Sequence, residues 1–395
     1  MIIPVQVRGE KMRKAIIALL GIVVLAACRS KEMQVQKTVD ENGVEVVLNG
    51  LEPLRLRGGP ASLEFVEEMT LDTEKDEVAS TGLADVGAFG VDSIGNIYFA
   101  SLKAGDQTIL KFDRQGRHIA SFGRKGQGPG EIQSISALLV SESDEVSITD
   151  GGNNRLTIFD SGGRWLRDVP MTTSFIAAIP LPNGRYFLWD RTPSEKPGVL
   201  LELPMILAGP ELKTIRILDT GIIENPMDGE ELRGTYHLQS WSVSSDKIFT
   251  GHQDRGYDIF VYDLEGRPVR KIRKEYKPVP VPEAHKKEFL AQFESPQFRD
   301  IIRKVYFPDG MPPFIGFTSD ENGRLYVMTY ESGAEPGEFV FDIFNSEGVL
   351  MLRKPIRVFQ NFMGTFVRVR NGRFYCLQEK ESGFKELKVF RMTWN

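Results

Sequence analysis

From Leu63 onward, short runs of apolar β-forming residues alternate with turns of Gly, Asn and Asp, and the alternation repeats itself along the chain. One phrase, two β runs about a tight turn, occurs six times. It spans Val91–Phe99, turning at Gly95-Asn96, Val140–Thr149 at Asp144, and Ile179–Phe187 at Asn183-Gly184. It returns over Val243–Phe249 at Asp246, Thr318–Val327 at Asn322-Gly323, and Val367–Tyr375 at Asn371-Gly372. Asn-Gly between β runs favours a two-residue hairpin because both positions tolerate positive φ. A second phrase, an apolar strand ending in Asp or Asn and then Gly three residues on, covers Ile109–Gly116, Leu156–Gly163, Ile259–Gly266 and Phe341–Gly348. Each leads into one more strand. Four strands per unit at a period of roughly 40–50 residues predict an all-β, six-bladed β-propeller.

The third unit is the least regular, with strands expected at Val199–Leu207 and Leu212–Leu218 but no Asp-x-x-Gly phrase between them. The sixth stops at its third strand, ending near Trp394, while Leu63–Asp72 forms a strand with no unit of its own. Pairing the two would remove two exposed edges and close the ring. A seventh blade would need another hairpin phrase, and none occurs. Residues 277–314 break the β pattern. An extended Pro278–Pro282 leads to a helix over Glu283–Glu294, with Phe289, Leu290 and Phe293 on one face. Ser295-Pro296 then starts a second helix carrying Phe298, Ile301, Ile302 and Val305. These two helices lie between blades four and five, either packed on the propeller edge or serving as a lid or docking element.

Residues 1–28 carry a different pattern. Met12, Arg13 and Lys14 precede an apolar run, Ala15–Val24, too short to span a bilayer, and then Leu25-Ala26-Ala27-Cys28. This resembles the signal and lipobox of bacterial lipoproteins, which implies that Cys28 is acylated and becomes the first mature residue. Met12 is then the expected start, residues 29–60 a tether with one strand at Val44–Leu48, and residues 61–395 the propeller. An ordinary secretory signal cleaved near Ala27 is the alternative. The resemblance also implies outer-membrane sorting, because Arg29 stands where an aspartate would favour inner-membrane retention. Loss of residues 1–28 takes the net charge from −5 to −8, since four basic side chains leave with one acidic one. A moderately acidic surface offers nucleic acid or anionic lipid no electrostatic attraction, so the lipid anchor is the one expected membrane contact and nucleic acid is excluded as a partner.

Phe122–Glu131, with Gly126, Gly128 and Gly130, followed by Asp150–Asp160, is similar to an NHL repeat. From about Leu63 the chain resembles the six-bladed propeller lipoproteins of bacteria, a family related to NHL proteins. That resemblance supports the fold and says little about activity.

Catalytic signals are sparse. His118, His237, His252 and His285 are scattered without metal-ligand spacing, and no nucleophile elbow, phosphate loop or dinucleotide fingerprint occurs. Asp150, Asn153 and Asn154 supply too few carboxylates for a calcium loop and suit turn hydrogen bonding, as do Asp113, Asp160 and Asp263. Cys376 reads as a buried small hydrophobe. What remains is the propeller face shared by the loops from second to third strand and from blade to blade. It carries Arg124, Lys125, Asn153, Arg155, Asp190, Arg191, His252, Asp254, Arg255, Tyr330, Glu331, Glu379 and Lys380. Mixed charge with some aromatic character suits a sugar, a peptide or a small polar ligand. The expectation is a monomeric, non-catalytic binding or scaffold module without a cofactor. The alternative is an extracytoplasmic lyase or hydrolase acting on peptide or carbohydrate with a metal in the channel.

Overall fold

The computed structural model describes residues 35–395 except 41, 55–61, 84–85, 101–104, 106, 172, 174, 229–230, 236–238, 296–297 and 359–365. Cys28, the rest of the signal segment, His237 and Pro296 lie outside the described residues.

Each of the six predicted hairpins forms the first and second strands of a four-stranded antiparallel blade. Blade one comprises Ala88–Val91, Ile97–Ala100, Ile109–Phe112 and His118–Phe122. Blade two is built from Ile135–Val140, Val146–Asp150, Arg155–Phe159 and Trp165–Pro170. Blade three has Ala177–Pro180, Tyr186–Trp189, Val199–Ala208 and Thr214–Glu224, with the short Thr192–Pro193 added to its long third strand. Blade four contains Gln239–Val243, Lys247–His252, Asp258–Asp263 and Pro268–Lys274, and blade five Gly316–Ser319, Leu325–Ser332, Glu338–Phe344 and Leu350–Arg357.

Blade six draws Phe366–Arg370, Arg373–Glu379 and Lys385–Trp394 from the C-terminus and its fourth strand, Leu63–Asp72, from the N-terminal side. The register runs from Glu386 opposite Asp72 to Trp394 opposite Leu63. Ring closure therefore takes the predicted form.

A recurrent polar device shapes the turn from third to fourth strand. Asp113 accepts from the backbone N–H groups of Gln115 and Arg117, and Asp263 from those of Glu265 and Arg267. Asp160 accepts from Arg164, and Asn345 takes the place of Asp in blade five. The glycine three residues on adopts φ between 76° and 85° at Gly116, Gly163, Gly266 and Gly348, where a side chain would be strained. These aspartates are turn residues, as the sequence suggests. So is Asp150, which accepts from the N–H groups of Gln133 and Ser134 and from the Asn153 amide.

The core is divided among the blade interfaces. Six apolar clusters lie between successive blades, for example Tyr98, Ile109, Ile135, Val146 and Ile148 between blades one and two. The cluster between blades five and six gathers Tyr326, Phe341, Ile343, Phe374 and Leu63. Strands buried on both faces explain why several inner and second strands read as continuous apolar runs rather than as alternating ones. Cys376 is buried in the same cluster, where burial pushes its thiol up to about 12, as a structural role requires.

Two elements depart from expectation. In the segment expected to be a tether, the strand expected at Val44–Leu48 forms as Glu45–Asn49, but it belongs to a hairpin with the unexpected Gln36–Val39 and lies parallel to Pro268–Lys274, widening blade four to six strands. Buried Asn49 fastens it across two blades, donating to the carbonyls of Arg273 and Gly348 and accepting from the Leu350 N–H. The other departure is the first inserted helix, α1 (Glu283–Ala291), which ends three residues before the expected boundary. The second, α2 (Arg299–Lys304), follows it. Phe289, Phe293, Phe298, Ile301 and Phe307 pack together over Leu232, and His285 shares a hydrogen bond with the Gly234 carbonyl at 3.1 Å. Leu232–Arg233 pairs with Val305–Tyr306, so the insert is tied to the connection between blades three and four. Among the described residues no helix is long and apolar enough to cross a membrane.

Candidate functional site

The expected loop-face residues come from the predicted loops, but many are already engaged within the protein. Arg155 donates to the carbonyls of Gly128 and Glu131 at 2.7 and 2.6 Å and pairs with Asp168 at 3.0 Å. Asn153 donates to the Gly126 carbonyl, so both side chains staple the glycine-rich crossover into blade two. Arg124 is exposed and pairs with Glu131 at 2.6 Å, while Lys125 is exposed beside it. Asp254 pairs with Arg233 at 2.8 Å, Arg255 with Asp219 at 2.7 Å, and buried His252 accepts from the Asp254 N–H. Glu331 binds Arg353, and Lys380 binds Asp72 and Glu74. Glu379 and Arg191 are exposed. Asp190 is buried and takes hydrogen bonds from Thr173 and the Arg191 N–H, with burial holding its carboxyl above the usual range. Tyr330 and Glu331 border a small recess of about 10 Å³ beside Tyr257 and Lys274.

None of these thirteen side chains lines the central channel, which is the larger feature. It encloses about 390 Å³ and is walled by the first strands of all six blades. A pocket of this size lies in the range of small-molecule sites. Its walls are largely apolar and aromatic, with Phe89, Trp189, Trp241, Phe317 and Phe366 contributing rings. The two indoles stand 6.4 Å apart at 63°, and Trp241 packs on Phe187 at 4.8 Å, which fixes its plane. Blades one and two come so close that a side chain on Gly90 would meet Val140 at 2.5 Å.

Polar groups enter at few points. Ser242 and Ser319 share a hydrogen bond of 2.7 Å between blades four and five. Trp189 donates its indole N–H to Oε1 of Gln239 at 3.4 Å. That contact orients the amide and leaves buried Nε2 of Gln239 with no hydrogen-bond partner among the described residues. The last inner strand supplies two arginines with opposite circumstances. Arg370 is saturated: it donates to the carbonyls of Val91 and Ser141 at 2.8 and 3.2 Å and pairs with Asp144 at 3.2 Å and Glu142 at 3.8 Å. Burial still keeps the Glu142 carboxyl above its ordinary range. Arg368, two residues earlier, donates to the Val367 carbonyl at 3.0 Å and forms no ion pair among the described residues. Burial alone draws its guanidinium below the ordinary value, with no carboxylate close enough to offset it.

The loop residues were reachable from turn positions in the repeats. The channel residues were not, because Arg368, Gln239 and Trp241 sit on strands whose alternation looks like that of any surface strand. Among the described residues, no three His, Cys, Asp or Glu side chains converge as metal ligands would.

Comparison with known proteins bears on the fold. Residues 92–198 match the family model DUF5128, described as a six-bladed β-propeller. No curated protein matches the sequence. Among solved structures, a member of the DUF4221 family from Bacteroides vulgatus is 10% identical, with a TM-score of 0.50 over 84% of this chain and 99% of that one. A Bacteroides fragilis protein named as exported is 13% identical over 88% and 99%, with a TM-score of 0.49. The virginiamycin B lyase of Staphylococcus aureus is 11% identical over 85% and 100%, with a TM-score of 0.35.

Proposed function

We propose that the protein is a non-catalytic binding module of the bacterial cell envelope, holding a small ligand in its central channel beneath the loop face. The observation that carries this reading is the 390 Å³ channel, whose aromatic walls are interrupted by a few polar groups from different blades. Such a cavity desolvates a ligand and orients it, which is what recognition needs. Propellers host many activities, so the reading rests on the site and not on the fold. Radical footprinting of the intact protein, with and without the small-molecule fraction of an envelope extract, tests it. Protection is expected at Trp189, Trp241 and Phe366. Protection confined to the exposed outer-strand residues Ile119, Trp165 and Ile215 would overturn it.

The envelope location rests on Met12–Cys28, whose basic start, short apolar run and small residues before cysteine suit export followed by lipid attachment. We place the anchor at the outer membrane, with the propeller as a monomeric lipoprotein related to NHL proteins. Cys28→Ser should leave the precursor uncleaved or shift the protein from the membrane to the soluble fraction. A variant that matures normally and stays membrane-bound would remove the lipid anchor from this account.

A further inference from the structure

The channel has one feature that simple apolar binding leaves unexplained. A guanidinium taken out of water without a counter-ion costs stability, and charged groups are rarely buried unless paired. Arg370 on the same strand meets that requirement fully, with two carbonyls and two carboxylates. Arg368, half-buried in the channel wall, does not. In the same cavity Trp189 donates its indole N–H to Gln239 Oε1, which helps hold the two indoles of the wall in place. Among the described lining residues Arg368 is thus the cation with no ionic partner, since Glu142 and the neighbouring Asp144 are both taken up by Arg370.

We infer that the channel binds a ring-bearing carboxylate: Arg368 takes the carboxylate, and the ring lies among Trp189, Trp241 and Phe366. A single unpaired guanidinium matches a monoanion, and its planar fork matches a planar carboxylate in two parallel hydrogen bonds. Indole faces accept a flat ring or the C–H face of a sugar. This inference rests on the channel being the ligand site.

The test uses the intact protein and two matched pairs of probes, benzoate with benzamide and glucuronate with glucose, read by tryptophan fluorescence and by thermal shift. The carboxylate of at least one pair should bind roughly tenfold or more tighter than its neutral twin, the discrimination expected of a charged hydrogen bond. Arg368→Met should abolish that preference while melting near the wild-type temperature, because the half-buried guanidinium has no ionic partner to lose. Trp241→Ala should weaken both members of the pair. Four results would overturn the inference: twins that bind alike, no binding by any of the four at millimolar concentration, inorganic phosphate binding as tightly as benzoate, or Arg368→Met melting several degrees low, which would make the guanidinium a structural brace. Twins that bind alike but lose affinity in Trp241→Ala would leave the channel as the ligand site and remove only the carboxylate.

Discussion

A chain that begins at Thr73 should be insoluble or melt about 10 °C or more below one that begins at Gly59. Both lack the Gln36–Asn49 hairpin, so the difference isolates the strand Leu63–Asp72. That strand pairs with Lys385–Trp394 along its whole length and buries Leu63 and Leu71, at 1% and 4% exposure. Phe65 adds an edge-to-face contact with Phe374 at 5.4 Å. At roughly 1.5–3 kcal/mol per buried side chain, Leu63 and Leu71 alone represent about 3–6 kcal/mol. That is a large share of a typical stability of about 5–15 kcal/mol, and each kcal/mol is worth about 2–4 °C in a domain of this order of size. Without the strand, Lys385–Trp394 becomes an open edge, a template for aggregation. Equal melting of the two chains as monomers would show that the ring closes without it.

How far the fold was legible depends on where its information lies. The hairpin between first and second strands is local chemistry, a turn flanked by apolar runs, and all six form where the sequence places them. Blade three shows how geometry survives without its signature. Its turn lacks the Asp-x-x-Gly phrase, yet Gly209 N–H donates to the Lys213 carbonyl and Leu212 N–H to the Gly209 carbonyl, the pattern Asp113 and Gly116 make in blade one. Leu212 takes the glycine's place at φ 58° and is held there by burial. A propensity argument could not anticipate that, because tertiary packing stabilises the unfavourable backbone. The hairpin Gln36–Asn49 was legible only in its second strand, expected at Val44–Leu48 and formed by Glu45–Asn49. Its first strand, Gln36–Val39, is exposed throughout and has no apolar face to detect. The partner of its second strand lies more than two hundred residues away.

The candidate site follows the same logic. Turn positions can be read from repeats, so loop residues were nameable, but a turn residue's usual work is to hold its turn, and Arg155 and Asn153 do that. Val367-Arg368-Val369-Arg370 reads as an ordinary alternating strand. Only when six inner strands close into a ring does Arg368 face an enclosed channel, and only the arrangement of neighbours separates it from Arg370. Whether a guanidinium finds a partner is a property of the assembled cavity, not of any local segment.

The same distinction between paired and unpaired charge makes the interface of blades four and five the place where one substitution should do most damage. Asp342 is fully buried and accepts from Tyr257 at 2.8 Å and from Arg353 at 2.8 Å, with Lys274 at 3.3 Å. Lys274 is itself buried, and Tyr257, from the same blade, lies beneath its ammonium at 5.2 Å. Asp342→Ala would strand a buried ammonium and a phenol, a loss of about 3–5 kcal/mol in denaturant unfolding at neutral pH. Burial already draws Lys274 below its ordinary pKa, with Asp342 pulling the other way, so the variant lowers it further. A lysine depressed in the folded state binds fewer protons there than when unfolded, and stability then rises with pH across that interval. The deficit of Asp342→Ala should therefore shrink as the pH is raised from neutral into the alkaline range. The double variant Lys274→Met/Asp342→Leu should recover most of the loss at neutral pH, because apolar replacements remove the stranded charge together with its partner. A double variant as unstable as Asp342→Ala, with no narrowing at alkaline pH, would mean that Asp342 acts through Arg353 and Tyr257 and that Lys274 contributes nothing to the interface.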